Sequence, residues 1–103
     1  MPLRMVIIVR DDLPPNHVAL ACAHAAIAIY AKCIEHDKLM QEWKANSFRK
    51  VIRKATAAQF EQAKLEHPKH LVMTESSLDG RETAIVFEMA EEYPKFINYL
   101  PRY

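Results

Sequence analysis

Glycine, cysteine and long apolar runs are scarce in this sequence. Its 103 residues include one glycine and two cysteines, and no stretch approaches the ~18 consecutive apolar residues that a membrane-spanning helix needs. The first residues also lack the pattern of a secretory signal peptide, since Arg10, Asp11 and Asp12 end the short apolar run over residues 5–9. These absences exclude a membrane span and predict a cytoplasmic location.

The two cysteines are too far apart for a disulfide bond. Cys22 and Cys33 are eleven residues apart, which is roughly 16 Å along a continuous helix, whereas a disulfide needs Cα atoms within about 7 Å. We expect both to be free thiols that are buried as small apolar side chains. No set of side chains has the spacing of metal ligands, so the sequence predicts neither a metal nor another cofactor.

Neither positive nor negative charge is in large excess, since the net charge is +1. Residues 1–54 carry nine Lys or Arg against five Asp or Glu, while residues 55–103 carry five against eight. One side of the fold is therefore predicted to be basic enough to meet an anionic partner, and a solvated surface explains the asymmetry equally well.

The length fits one domain. A chain of 103 residues buries about two-thirds of the surface that its unfolded form exposes. Half of the residues are hydrophobic, and no repeat, linker or low-complexity tract interrupts them. We therefore expect a single domain over residues 1–103.

Short β-branched runs alternate with helical patterns along the chain. The run over residues 3–9 predicts a central strand, and further strands are expected at Val51 and Ile52, from His70 and from Thr83. Helices are expected from about residue 17 to about 36, over 39–45, after Thr56 as the N-cap, and over about 93–100. The order β-α-(α)-β-α-β-β-α predicts a three-layer α/β/α fold with a four-stranded mixed sheet.

Three local features refine this fold. The first helix is rich in alanine, which lets its backbone lie close to the sheet, and Asn16 is its predicted N-cap. In the helix after Thr56, the side chains expected to face inward are Phe60, Ala63 and Leu65. Gly80 lies between the last two strands and is expected to supply the turn of a hairpin.

Two motifs follow one another around the first helix: a strand that ends in Arg-x-Asp-Leu and a helix that opens with Ala-x-x-Cys-x-His-Ala-Ala. The residues concerned are Arg10, Asp12, Leu13, Ala19, Cys22, His24, Ala25, Ala26 and Tyr30. In these residues the chain resembles the type 2 peptidyl-tRNA hydrolases. The order of elements also fits this family, whose fold is a four-stranded mixed sheet between helices. The resemblance implies a peptidyl-tRNA ester as substrate and tRNA as partner.

Several positions depart from the family pattern. Where the family has a Gly-Lys pair at the mouth of the first helix, with the lysine held to contribute to catalysis, this chain has Asn16 and His17. Glu75 stands at the position of a family aspartate, and Thr83 at that of the last family threonine. The pattern is similar to that of the divergent peptidyl-tRNA hydrolase domain-containing proteins.

These residues suggest how hydrolysis would proceed. Ester cleavage needs a base that positions water, a donor for the developing oxyanion and cations for phosphate. We predict Glu75 as the base and His17, His24 and Thr83 as further catalytic residues. A histidine carries only part of a positive charge at neutral pH and substitutes poorly for lysine. Each residue also has a structural interpretation: a hydrogen-bonded histidine at 24, an exposed first-turn histidine at 17, and a solvated carboxylate at 75.

The basic segment after Ser47 is the candidate nucleic-acid surface. The predicted contacts to phosphate come from Arg10, Arg49, Lys50, Arg53 and Lys54. Alternation along a strand sends the last four to both faces, which argues against a single basic stripe.

Two functional hypotheses therefore stay open. The first is a peptidyl-tRNA or similar aminoacyl-ester hydrolase. The second is a catalytically inactive relative that binds RNA or a protein, as a homodimer formed through the hydrophobic segment over residues 93–103. Substituting Glu75 by Gln distinguishes them, because only the enzyme depends on this carboxylate. A small molecule in the pocket above the first helix is a third alternative.

Overall fold

The computed structural model describes residues 3–35 and 37–103, which form a mixed sheet between two layers of helices. In chain order the elements are β1 (Met5–Arg10), α1 (Pro15–Cys33), α2 (Asp37–Ala45), β2 (Lys50–Ala55), α3 (Ala57–Glu66), β3 (His70–Glu75), β4 (Arg81–Phe87) and α4 (Lys95–Tyr99). The predicted fold class and element order are confirmed. Among the described residues, no helix combines the length and the apolar character that crossing a membrane requires.

The strands lie in the order β2-β1-β4-β3 across the sheet. β1 and β2 are parallel, and β4 is antiparallel to both of its neighbours, β1 and β3. β1, β2 and β3 therefore run in one direction, so their carboxyl ends share one end of the sheet. The start of α1 lies at that end as well, because a short loop joins it to β1.

Helices cover both faces of the central strand. Met5, Ile7 and Val9 pack in a core with α1 and α2, whereas Val6 and Ile8 pack in a second core with α3 and α4. Since successive side chains of a strand point to opposite faces, a strand that is covered twice must be apolar throughout. This requirement accounts for the uninterrupted apolar run near the start of the sequence.

α1 lies on the sheet through a stripe of residues spaced by four. The buried side chains are Ala21, Ala25, Ile29 and Cys33, and two of them are small enough to let the helix approach closely, as predicted. Both cysteines are free thiols, and burial raises the pKa of each. The opposite face of α1 is exposed and carries Leu20 and Ile27, and the exposed Ile34 follows directly after the helix.

The predicted helix starts had different outcomes. Asn16 as the N-cap of α1 was wrong: the helix begins at Pro15, with Pro14 at the N-cap position and no side-chain cap. Proline fits the first helical position because its φ angle is fixed there and no N–H is left without a partner. Thr56 caps α3 as predicted, in a capping box with Gln59. The predicted end of the first helix at residue 36 lies outside the described residues.

The prediction that Leu65 faces inward was also wrong. Phe60 and Ala63 are fully buried, whereas Leu65 is 81% exposed. Five residues along a helix correspond to a rotation of about 140°, so Leu65 lies on the far side of α3 from Phe60. Three residues bring Ala63 back to the buried face.

The last residues of the sequence fold back onto the same chain. Tyr93, Ile97 and Leu100 are buried in the core beneath α3 and α4. The Tyr93 hydroxyl lies 2.8 Å from the carbonyl oxygen of Arg4 and 2.7 Å from that of Glu88. These apolar side chains are therefore turned away from solvent, and the homodimer expected through this segment stays a prediction.

Candidate active site

The polar residues predicted to carry the chemistry meet where β3 ends and α1 begins. Leu71 and Met73 of β3 pack against the core beneath α1, and by alternation Glu75 points to the same face. The first three turns of α1 carry His17 and His24, which are seven residues apart and so lie on nearly the same side of the helix. The fold thus brings together Glu75, His17 and His24 from two distant parts of the chain.

Glu75 is held by the turn that follows it. Its Oε1 accepts hydrogen bonds from the Ser77 backbone amide at 3.2 Å and from the Ser77 hydroxyl at 3.1 Å. The carboxylate is largely covered, with 14% of the side chain exposed. The backbone hydrogen bond from Ser77 lowers the pKa of Glu75; burial opposes this, and the Ser77 hydroxyl and the two histidines add to the lowering. The carboxylate is therefore kept ionised.

Ser77 also connects Glu75 to His17. Its Oγ lies 3.2 Å from Nε2 of His17. An ionised carboxylate can only accept hydrogen bonds, and a hydroxyl has one proton to donate. Ser77 therefore donates to Glu75 and accepts from Nε2 of His17, which places the proton of a neutral His17 on Nε2. Its Nδ1 is buried without a partner among the described residues.

His24 approaches the other oxygen of the same carboxylate. Its Nε2 lies 3.8 Å from Oε2 of Glu75, and 52% of its side chain is exposed. This distance is too long for a direct hydrogen bond. A water molecule or a substrate oxygen bound beside the two groups would lie within reach of both. His24 is thus the more open of the two histidines, and His17 the more enclosed.

A pair of arginines on one aspartate forms the neighbouring part of the site. Asp12 accepts from Arg10 at 2.8 Å and from Arg81 at 2.6 Å. Partial burial acts to raise the pKa of Asp12, but the hydrogen bond from Arg10 and the charges of both arginines outweigh it and lower the pKa. Arg10 also lies over the ring of Phe60, with Cζ 5.6 Å from the ring centroid. Two guanidinium groups sharing one carboxylate leave a local excess of positive charge.

A β-bulge gives Arg81 its direction. Met73 pairs with Ala84 but Thr74 pairs with Glu82, so Thr83 is an extra residue in β4. An extra residue reverses the faces to which the preceding side chains point. Arg81 consequently meets Asp12 beside α1, and Glu82 meets Lys64 of α3 at 2.5 Å. The turn between the strands holds Asp79 and Gly80 in the left-handed region, at φ 57° and 75°, which is the role predicted for the glycine.

Thr83 itself lies apart from the carboxylate and the histidines. It is 2% exposed, and its hydroxyl donates to the carbonyl oxygen of Met73 at 3.4 Å. Its hydrogen bond thus joins the two strands at the bulge. A direct catalytic role for Thr83 stays a prediction.

The basic residues of the predicted nucleic-acid surface line the opposite edge of the sheet. Lys50 lies over the rings of Trp43 and Phe48, and Lys54 lies over the ring of Tyr103. Arg53 points to the other face, where its guanidinium donates to the carbonyl oxygen of Leu100 at 2.7 Å. The predicted distribution over both faces is confirmed. Only Arg10 belongs both to this set and to the cluster around Asp12.

Two contributors to the site were not predicted from the sequence. Ser77 follows Glu75 by two residues, a spacing at which a side-chain oxygen can accept from the later backbone amide, but the contact of Ser77 with His17 spans 60 residues. Arg81 was not predicted because strict alternation along β4 would point its side chain to the face of the sheet away from Asp12. Among the described residues, no group of three or more His, Cys, Asp or Glu could hold a metal ion.

Comparison with known proteins adds a family assignment to this geometry. The family model described as Peptidyl-tRNA hydrolase PTH2 matches residues 3–89. A search of curated proteins returned no match. The matched range contains Glu75, Ser77, both histidines and the cluster around Asp12, whereas α4 and the segment after it lie beyond the match.

Proposed function

The chain belongs to the peptidyl-tRNA hydrolase PTH2 family, and on this premise we propose that it hydrolyses the ester between a peptide and tRNA. The observation that carries the proposal is the position of Glu75, an ionised carboxylate between two histidines at the carboxyl end of β3. Such a group can accept a proton from water beside an ester carbonyl. The resemblance of the sequence around α1 to the family supports the same substrate.

In the proposed reaction, Glu75 and His24 act from the two sides of the attacking water. Glu75 takes one proton of the water as its oxygen bonds to the ester carbonyl carbon. The bond from this carbon to the ribose oxygen then breaks, and a protonated His24 gives its proton to the leaving oxygen. Glu75 and His24 are 3.8 Å apart, too far for a direct hydrogen bond, so a second water molecule between them relays the proton from Glu75 to His24 and restores both groups.

His17 and Ser77 hold the base in position. Ser77 occupies Oε1 of Glu75 and leaves Oε2 facing His24. Arg10 and Arg81 provide positive charge for the phosphates next to the ester, because Asp12 neutralises only one of them. Histidine stands where the family has lysine, so we propose slower hydrolysis than in members that keep the lysine.

The test is release of peptide from a purified peptidyl-tRNA under single-turnover conditions. We expect Glu75→Gln to lower the rate by about 10²-fold or more, the usual contribution of a general base. Glu35→Gln is the matched control, because Glu35 is an exposed carboxylate just beyond the far end of α1. Full activity of the Glu75→Gln variant would overturn the assignment of the base.

A catalytically inactive binding module is the second candidate. It is favoured by one observation: Oε1 of Glu75 and Nε2 of His17 are both engaged by Ser77, as they would be in a carboxylate that only stabilises the turn. The same experiment decides between the two. A wild-type protein that binds tRNA without releasing peptide, at any pH from 5 to 9, would support the binding module.

A further inference from the structure

The segment beyond the family match extends the sheet. After α4, the backbone amide of Lys54 donates to the carbonyl oxygen of Pro101 at 2.9 Å, and the amide of Tyr103 donates to that of Ile52 at 2.9 Å. Arg102 pairs with Arg53 in an antiparallel bridge. Residues 101–103 therefore cover the outer edge of β2, which would otherwise expose unpaired backbone groups. We call β2 together with residues 101–103 the β2 edge.

The β2 edge collects positively charged side chains. Its cations, with the residue that precedes β2, are Arg49, Lys50, Arg53, Lys54 and Arg102. Among the side chains that the structure describes, none of the five forms an ion pair with an acidic group. Burial lowers the pKa of Arg53, and the charges of Arg102 and Arg4 lower it further. Mutual repulsion of this kind is relieved when an anion binds.

Exposed aromatic rings lie among these cations. Tyr103 is 56% exposed and has Nζ of Lys54 at 5.7 Å from its ring centroid. Phe48 is 48% exposed, with Nζ of Lys50 at 5.8 Å. Surfaces that hold a single nucleic-acid strand combine cations that follow the phosphates with rings on which bases stack. The β2 edge has both components on the face that carries Lys50 and Lys54.

The β2 edge is also continuous with the candidate active site. Lys54 pairs in register with Val9, and Ala55 pairs with Arg10 of the Asp12 cluster. Three strand spacings separate β2 from β3, which is roughly 14 Å. A short single strand can cross this distance, with one end at Glu75 and the adjoining nucleotides along β2.

We propose that the β2 edge binds the single-stranded RNA that leads to the ester, with Lys50, Lys54 and Tyr103 as its principal contacts. This inference rests on the proposed function for the identity of the RNA. It assigns a role to Tyr103, which lies outside the family match, and it separates the binding of the RNA from the chemistry at Glu75.

The first measurement is binding of uncharged tRNA as a function of salt, followed by fluorescence anisotropy. We expect Lys50→Ala and Lys54→Ala each to reduce the log–log salt slope by about one, as the loss of a phosphate contact does. Lys69→Ala is the matched control, because Lys69 is an exposed cation at the start of β3, on the opposite edge of the sheet. Unchanged slopes in both edge variants, with a folded protein by circular dichroism, would overturn the proposal.

The second measurement tests the ring. Tyr103→Ser should weaken tRNA binding by about tenfold, within the range for loss of one stacking platform, while Tyr103→Phe should bind as the wild type does. Equal binding by the two variants would contradict stacking on this residue.

Hydrolysis separates this inference from the proposed function. If both hold, the edge variants raise KM for peptidyl-tRNA and leave the cleavage of an N-acylaminoacyl ester of adenosine unchanged. Salt-dependent binding that requires Lys50 and Lys54, in a wild-type protein that cleaves neither substrate, would support the β2 edge while the proposed function fails. Wild-type KM values in the edge variants would overturn the β2 edge while the proposed function stands.

Discussion

The two edges of the sheet organise their charges in opposite ways. Beside β3 and the start of α1, polar groups pair with one another: Ser77 bonds to Glu75 and His17, and Asp12 holds two arginines. Along β2, the cations have no acidic partner among the described side chains. Internal pairing fixes groups in a geometry that chemistry requires, whereas uncompensated charge favours a partner from outside. The contrast suggests that catalysis and RNA binding are divided between the edges.

Disruption of the contact between α1 and the sheet should affect the candidate active site beside β3 and have little effect on the β2 edge. We expect Ala25→Leu to lower the free energy of unfolding by about 3 kcal/mol, because a larger side chain has no space at a fully buried position against the sheet. It should also displace both histidines and reduce hydrolysis more than tRNA binding. Urea unfolding measures the stability. The control is Ala23→Leu, on the exposed side of α1, and an equal loss in that variant would contradict close packing as the cause.

Substitution of Tyr93, which anchors the segment that covers β2, should affect the β2 edge more than the candidate active site. Tyr93→Phe leaves two backbone carbonyls without the hydroxyl that bridges them, so it should cost about 1–2 kcal/mol of unfolding free energy. It should weaken tRNA binding more than it slows cleavage of an adenosine ester. Tyr99→Phe, at an 81% exposed position, is the control and should unfold as the wild type does. A Tyr93→Phe protein of unchanged stability would show that the hydroxyl does not anchor this segment.

Ser77→Ala should have a smaller effect, and only on the candidate active site beside β3. Removing one hydrogen bond to a charged group should slow hydrolysis by about tenfold, without a change in the salt slope of tRNA binding. The backbone amide of residue 77 still donates to Glu75 in this variant, so only part of the stabilisation of the carboxylate is lost. Single-turnover rates and the binding slope provide the two readouts.

The pH profile of the same variant tests the role of Ser77 on Glu75. The pKa of Glu75 is lowered in the folded protein, so its contribution to stability is present above the unfolded pKa and disappears as pH falls through the folded one. The acidic limb of kcat/KM marks protonation of Glu75 as the base. Because the pKa of Glu75 is lowered, this limb should lie below pH 4.5, the ordinary pKa of the group. In Ser77→Ala it should move upward. A limb that stays in place would argue that the hydroxyl does not act on the carboxylate.

Most of the fold follows from local patterns in the sequence. The run near the start of the chain, the N-cap at Thr56 and the turn at Gly80 each depend on their own surroundings, and all three predictions were confirmed. Two local predictions were wrong, at Asn16 and Leu65. In both, one suitable residue type was given more weight than a neighbouring proline or the helical rotation. Short-range patterns are reliable when several residues agree on them.

Only part of the candidate site could be predicted from local patterns in the sequence. The alternation of β3 and the spacing along α1 bring Glu75, His17 and His24 to one face. The contact of Ser77 with His17, the turn of Arg81 toward Asp12 and the pairing of residues 101–103 with β2 could not be anticipated. They depend on the register of strands, on one extra residue in β4 and on where a distant segment returns.

The sequence by itself determined the elements, their order and the residue types available for chemistry, because hydrophobic period and turn residues act over a few positions. The tertiary structure decided which of those residues meet. A single bulge reverses the faces of a strand, and a folded-back segment extends an edge, and neither leaves a periodic trace in the chain. The link from Glu75 through Ser77 to His17, and the uncompensated charge along β2, are therefore properties of the folded molecule.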